Sequence, residues 1–231
     1  GARTVSGPLA FVGGREFTDG CSFDRGLVGG VGRVALLPTA LAYENPRATI
    51  ERARDWFGSM GVEVEELPVY RRPDALDPEL AARAADAPAV YVTGGSPMHL
   101  RSVLKDSPLL DALVGAWDAG AVVAVAGEAA AVLCSHMVDS RGGAFTVGLD
   151  LVTTMTIVPR CNQWSGDKWH RTVELANPEL PVVGIEEATA LIRSPEREWR
   201  VEGAGEVHVF LAGERVGLSA LPAALNPAEG A

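Results

Sequence analysis

Residues 122–134 read VVAVAGEAAAVLC, and this stretch decides the fold. The apolar run Val122–Ala126 is a buried strand, Gly127 breaks it, and the small residues from Glu128 onward open a helix. A strand, a sharp turn and a helix in that order make the elbow on which many α/β hydrolytic enzymes mount a serine or cysteine nucleophile. The turn here offers Gly127 and Glu128, and neither carries a hydroxyl or a thiol. Ordinary acyl-enzyme hydrolysis is not expected of such a turn.

Working outward, residues 8–14 (PLAFVGG), 32–38 (GRVALLP), 62–69 and 89–93 (AVYVT) read as strands. Residues 45–61, 77–86, 99–105 and 109–119 have helical spacing, with Asn45-Pro46, Asp77-Pro78 and Ser107-Pro108 as start signals. The glycine-rich segment 20–32 reads as a loop over a cleft. Strand and helix alternate up to Leu133, which predicts an α/β fold: a three-layer sandwich around a mostly parallel central sheet. Short, closely spaced strands follow at 149–158, 181–185, 189–194, 199–202 and 207–211, and the last of them predict antiparallel hairpins near the C-terminus. No repeat or linker divides the chain. A single domain over 1–222 is expected, with 223–231 (AALNPAEGA) as a tail that frays.

The 231 residues are 47% hydrophobic and carry a formal charge of −10. That charge argues against nucleic acid or an anionic membrane surface as partner, because phosphate binding needs a basic face. No apolar run is long enough to cross a bilayer, and no basic segment with an apolar core heads the sequence. Cys21, Cys134 and Cys161 are an odd, widely spaced set, which fits a reducing cytoplasm better than a disulfide framework. His99, His136, His170 and His208 are scattered without ligand spacing, so no metal is expected. The GLVGGVG run at 26–32 lacks the flanking strand and helix of a dinucleotide site, and no cofactor is expected.

The element order and three strings, VTGGSPMHLRSVLKDSPLLDAL (92–113), MVDSRGGAFTVGL (137–149) and WSGDKWHRTVELA (164–176), are followed by LPVVGIEEATALI (180–192). Together they resemble the aspartyl dipeptidase and cyanophycinase family of serine peptidases, and especially its relatives similar to class I glutamine amidotransferases. The resemblance covers most of the chain. It implies a turn of the form G-x-S-A-G-A with serine as nucleophile, a Pro-His pair whose histidine is the base, and an oxyanion hole after an earlier Gly-Gly. Carried over, Gly94 and Gly95 match the oxyanion loop. Gly127, or Glu128 with a one-residue slip, stands where serine belongs. Pro159-Arg160 matches Pro-His, so Arg160 replaces the base, and Asp139 follows the helix without a clear claim to third place in a triad. The resemblance also implies a possible homodimer.

Arginine stays protonated at any relevant pH and cannot accept a serine proton. The sequence therefore reads as a divergent member repurposed for dehydration, isomerisation or cyclisation of a small molecule. The alternatives are a pseudopeptidase that binds a peptide or metabolite, and residual hydrolysis by water activated at Glu128. Glu128 and Arg160 are the candidate catalytic residues, or else a structural ion pair. Gly94, Gly95, Gly127, Asn162, Gln163 and Trp164 are the candidate substrate-binding residues. Cys161, beside Arg160, is either an activated thiolate or a tolerated thiol. Glu16, after the first strand (VGGREF), could point into the same cleft.

Overall fold

In the computed structural model, which describes residues 5–229, the first half of the chain alternates strands and helices. The strands are β1 (Leu9–Val12), β2 (Arg33–Leu37), β3 (Glu63–Glu66), β4 (Ala89–Val92) and β5 (Val122–Ala126). Between and after them run α1 (Phe23–Val28), α2 (Pro46–Gly58), α3 (Arg72–Ala75), α4 (Pro78–Ala85), α5 (Pro97–Leu104), α6 (Pro108–Asp118) and α7 (Glu128–Val132). The second half adds β6 (His136–Val138), β7 (Phe145–Val147), β8 (Thr156–Pro159), α8 (Gly166–Leu175) and β9 (Val182–Ile185). It ends with β10 (Thr189–Arg193), β11 (Trp199–Gly203), β12 (Val207–Leu211) and β13 (Glu214–Val216).

The first five strands pair in parallel in the order β1-β5-β4-β2-β3. The antiparallel hairpin of β10 and β11 adds to the β1 edge and completes a seven-stranded sheet. A second sheet runs β13-β12-β9-β8, with only β8 and β9 parallel.

Strand periodicity sorts the core. Leu9, Phe11, Val90, Val92 and Val125 face the layer of α4 to α7, whereas Ala10, Val12, Ala89, Tyr91, Ala124 and Ala126 face α1 and α2. Successive side chains leave opposite faces of a strand, so a strand covered on both sides is apolar throughout. Ser96, Ser107 and Ser165 cap α5, α6 and α8 by accepting a backbone N–H three residues on, and Pro97 and Pro108 occupy first-turn positions where no N–H is needed. Among the described residues no helix is long and apolar enough to cross a membrane.

Three expectations change. The segment 20–32 is not only a loop: α1 lies within it and buries Phe23, Leu27 and Val28 under the sheet. The apolar pair four residues apart was masked by the surrounding glycines. The strand expected from 149 starts only at Thr156, because Asp150 turns into the left-handed region at φ 64°. Of the tail expected to fray, residues 223–229 are seated against the body and 230–231 lie outside the described residues. Leu225 is buried, the Thr153 N–H donates to the Leu225 carbonyl at 2.8 Å, and Arg193 pairs with Glu229 at 2.6 Å.

Candidate active site

β1, β5 and β4 lie side by side and end at the same edge of the sheet, the edge where open α/β sheets place their ligands. Gly13-Gly14 and Gly127 follow β1 and β5 directly, and Gly94-Gly95 follows β4 after Thr93. Gly127 holds φ 56° and ψ −138°, strained backbone for any L-residue, and Glu128 is the first residue of α7. Of the two residues that the sequence left open, Gly127 is the strained one, as a nucleophile is in such an elbow. A Cβ at Gly127 would meet the Gly94 Cα at 3.5 Å, an ordinary contact, so space for a side chain exists beside the turn.

Glu128 and Arg160 do meet. Arg160 Nε stands 3.8 Å from Glu128 Oε1, with the side chains 44% and 24% exposed. At that separation and exposure the pair adds little stability. Arg160 follows β8 in the left-handed conformation, φ 51°, and its N–H donates to the Gly13 carbonyl at 2.7 Å. Its side chain lies against Gly14, where a Cβ would stand 2.9 Å from Arg160 Cγ. Glycine at 14 is thus the condition for the guanidinium to reach the cleft.

The cleft has a volume of about 200 Å³ and is lined by Glu128, Ser140, Arg160, Gln163, Trp164 and Lys168, among others. Trp164 is a wall of it, and Lys168 Nζ sits 3.9 Å from the centroid of that ring. Partial burial lowers the Lys168 ammonium below the ordinary lysine value. Of the predicted residues, then, Glu128, Arg160, Gln163 and Trp164 come together.

Asn162 does not line this cleft. Its Oδ1 accepts the Glu187 N–H at 2.8 Å and its amide donates back to Glu187 Oε1 at 3.2 Å. Gln163 Nε2 donates to the same carboxylate oxygen at 2.7 Å, so Glu187 fixes the chain just after Arg160. Gly95, at φ 144°, packs where a Cβ would stand 2.4 Å from the Ala40 carbonyl oxygen, which makes it a turn residue.

Glu16 is the group that sequence signalled least. It is buried, and its Oε2 accepts the Gly94 N–H at 3.1 Å. Burial pushes its carboxyl above the usual range, opposed by the Gly94 hydrogen bond and by the charges of Arg160 and Arg52. A carboxyl group of the protein thereby takes up a backbone donor at the start of the Gly94-Gly95 loop, which the resemblance assigns to oxyanion binding. Behind it Asp24, also buried, accepts Trp56 Nε1–H at 2.9 Å, and burial raises its carboxyl to about 7. The only sequence signal for Glu16 was its place just after the first strand.

Cys161 is not activated. Burial, and then the charge of Glu186, push its thiol up to about 12, so the neighbouring arginine does not produce a thiolate. Cys134 is fully buried in the core. Asp139 does not itself line the cleft, although its neighbours Val138 and Ser140 do, and it pairs with Arg141 at 2.7 Å, which holds its carboxyl down to about 2.

A strand-to-helix elbow at the carboxyl edge of a parallel sheet, with glycine turns beside it, defines an α/β protein of peptidase architecture. Residues 23–198 match peptidase family S51, well over half of the chain, and the chain belongs to that family. It is 29% identical over 189 residues to the cyanophycinase of Synechococcus elongatus, covering 76% of this chain and 58% of that protein. The cyanophycinase of Trichormus variabilis is 26% identical over 165 residues, 66% of this chain and 55% of its own length. The chain therefore spans somewhat more than half the length of these relatives. A solved peptidase from an acI-B1 Actinobacterium superposes with TM-score 0.79 at 26% identity, covering 93% of this chain and 98% of that one. A peptidase E-type structure from Listeria monocytogenes EGD-e gives TM-score 0.66 at 14% identity over 87% of this chain and all of that one, a likeness of fold.

Proposed function

We propose that this chain performs non-hydrolytic acid/base chemistry, such as dehydration, isomerisation or cyclisation, on a small molecule held in the cleft at Glu128 and Arg160. One observation carries the reading. The strained turn residue is Gly127, without a side chain, while a carboxylate and a guanidinium 3.8 Å apart line the adjoining space. Glu128 moves the proton, and Arg160 holds an anionic group of the substrate through its planar fork. Glu16 is consistent with the same reading, because its carboxyl occupies the Gly94 N–H, at the start of the loop that the resemblance assigns to oxyanion binding. A cleft of about 200 Å³ suits a small metabolite better than a polypeptide.

The test is mass spectrometry of a metabolite extract incubated with the wild type or with Glu128→Gln. Loss of water from one metabolite, or an unchanged mass at a shifted retention time, with the wild type alone is the expected result. An extract left unchanged by both proteins, or changed equally, sinks the reading.

A second reading, a pseudopeptidase that binds a peptide or metabolite, is favoured by the fact that Glu128 and Arg160 already face each other. It expects a ligand enriched unaltered by the wild type and released by Arg160→Ala. The names of the relatives suggest one further substrate for the assay: turnover of cyanophycin by the wild type would replace both readings.

A further inference from the structure

We infer that Glu186, Glu206 and His208 form a binding site for a divalent transition-metal ion, separate from the cleft. Their donor atoms all lie within 4.8 Å of one another. β-Sheet pairing brings them together: His208 on β12 is opposite Gly184 on β9, and the Glu186 N–H donates to the Glu206 carbonyl at 3.2 Å. His208 Nε2 is 2.7 Å from Glu186 Oε2, and the two side chains are 23% and 24% exposed. Two donors about 2.1 Å from a tetrahedral ion are roughly 3.4 Å apart, so loading requires only small side-chain rotations.

Two further features fit a cation. Among the described residues, the only ion-pair partner of Glu186 is His208, and Glu206 pairs with no lysine or arginine, so two neighbouring carboxylates lack a compensating side-chain cation. Gly205, between them and β11, leaves room for the carboxylate: a Cβ there would stand 2.9 Å from Glu186 Oε1. One imidazole and two carboxylates suit Zn²⁺ and its transition-metal neighbours, whereas Ca²⁺ and Mg²⁺ favour all-oxygen sets. Three protein ligands leave a coordination position for water or a small ligand. His208 also lines a cavity of about 230 Å³ with Trp169, Phe210 and Arg215, from which such a ligand can arrive. The absence of ligand spacing among the histidines hid this site, because its closeness comes from strand pairing.

The experiment strips the full chain with a chelator and titrates Zn²⁺ against a chromophoric competitor, with Co²⁺ visible absorption as a second readout. One Zn²⁺ per chain and a four-coordinate Co²⁺ band are expected. His208→Gln and Glu206→Gln should each weaken zinc by about tenfold or more, and His170→Gln should leave it unchanged. Glu206 is exposed, so its variant keeps the test valid if the His208 variant does not fold. The proposal is overturned if the wild type binds no Zn²⁺ at tens of micromolar, or if both glutamine variants bind as the wild type does. Loss of binding in Cys161→Ser but in neither of those variants also overturns it, and competition by equimolar Ca²⁺ or Mg²⁺ overturns the choice of metal class.

Discussion

Asp24→Asn isolates a pH dependence built into the layer beneath the cleft. Asp24 is 1% exposed, and burial lifts its carboxyl from an ordinary 3.8 to about 7 against the pull of the Trp56 hydrogen bond. The unfolded chain releases this proton near 3.8 and the native state keeps it to about 7. Within that window the native state binds one proton more, so stability falls as pH rises. The full drop corresponds to roughly 4 kcal/mol, and the part between pH 5 and pH 8 to about 3 kcal/mol. Asparagine keeps an acceptor for Trp56 Nε1–H but cannot ionise. Whatever its extra N–H groups cost in a buried site is independent of pH and leaves the slope untouched. Glu16, raised in the same direction, is present in both proteins and largely cancels in the comparison. Urea unfolding followed by tryptophan fluorescence at several pH values measures the difference directly. The variant should gain on the wild type by about 3 kcal/mol from pH 5 to pH 8. A difference constant to within about 0.5 kcal/mol across that range would refute the assignment of a buried, late-titrating carboxyl.

Glu229→Ala should cost about 3–5 kcal/mol in the same urea assay, because it strands the buried Arg193 guanidinium. Arg193→Met combined with Glu229→Leu should recover most of that loss, and a silent Glu229→Ala would mean that the tail does not hold this edge. Phe57→Ala empties a fully buried site between Phe17 and Tyr91, whose rings lie 5.5 and 5.9 Å away, and should cost about 3–5 kcal/mol of unfolding free energy. A serine-directed fluorophosphonate probe should label neither the wild type nor Gly127→Ser, since Arg160 stands where the resemblance places the base and cannot accept a proton. Rapid labelling of the wild type would reveal a nucleophile elsewhere in the chain.

Much of the architecture is local information. The apolar runs at β1, β4 and β5 and the Ser107-Pro108 start of α6 depend on neighbours within a few residues, so they are legible without a structure. The same holds for the chemistry missing from the elbow: neither Gly127 nor Glu128 has a hydroxyl, whatever the fold does with them. α1 was illegible because glycines diluted a single apolar turn, and the seated tail because its partners, Arg193 and Thr153, are distant in sequence.

That Gly127 is the strained residue of the elbow needed a backbone dihedral, which composition does not encode. Glu16 reaches Gly94 across 78 residues only because β1 and β4 flank β5 and end together. Glu186, Glu206 and His208 likewise meet because β9 and β12 pair in one register, and a shift of one residue would turn the histidine to the other face. Residue type and spacing thus set the elements and the kinds of side chain available. Strand order and register decided which of them share a site, because that depends on the packing of the whole sheet.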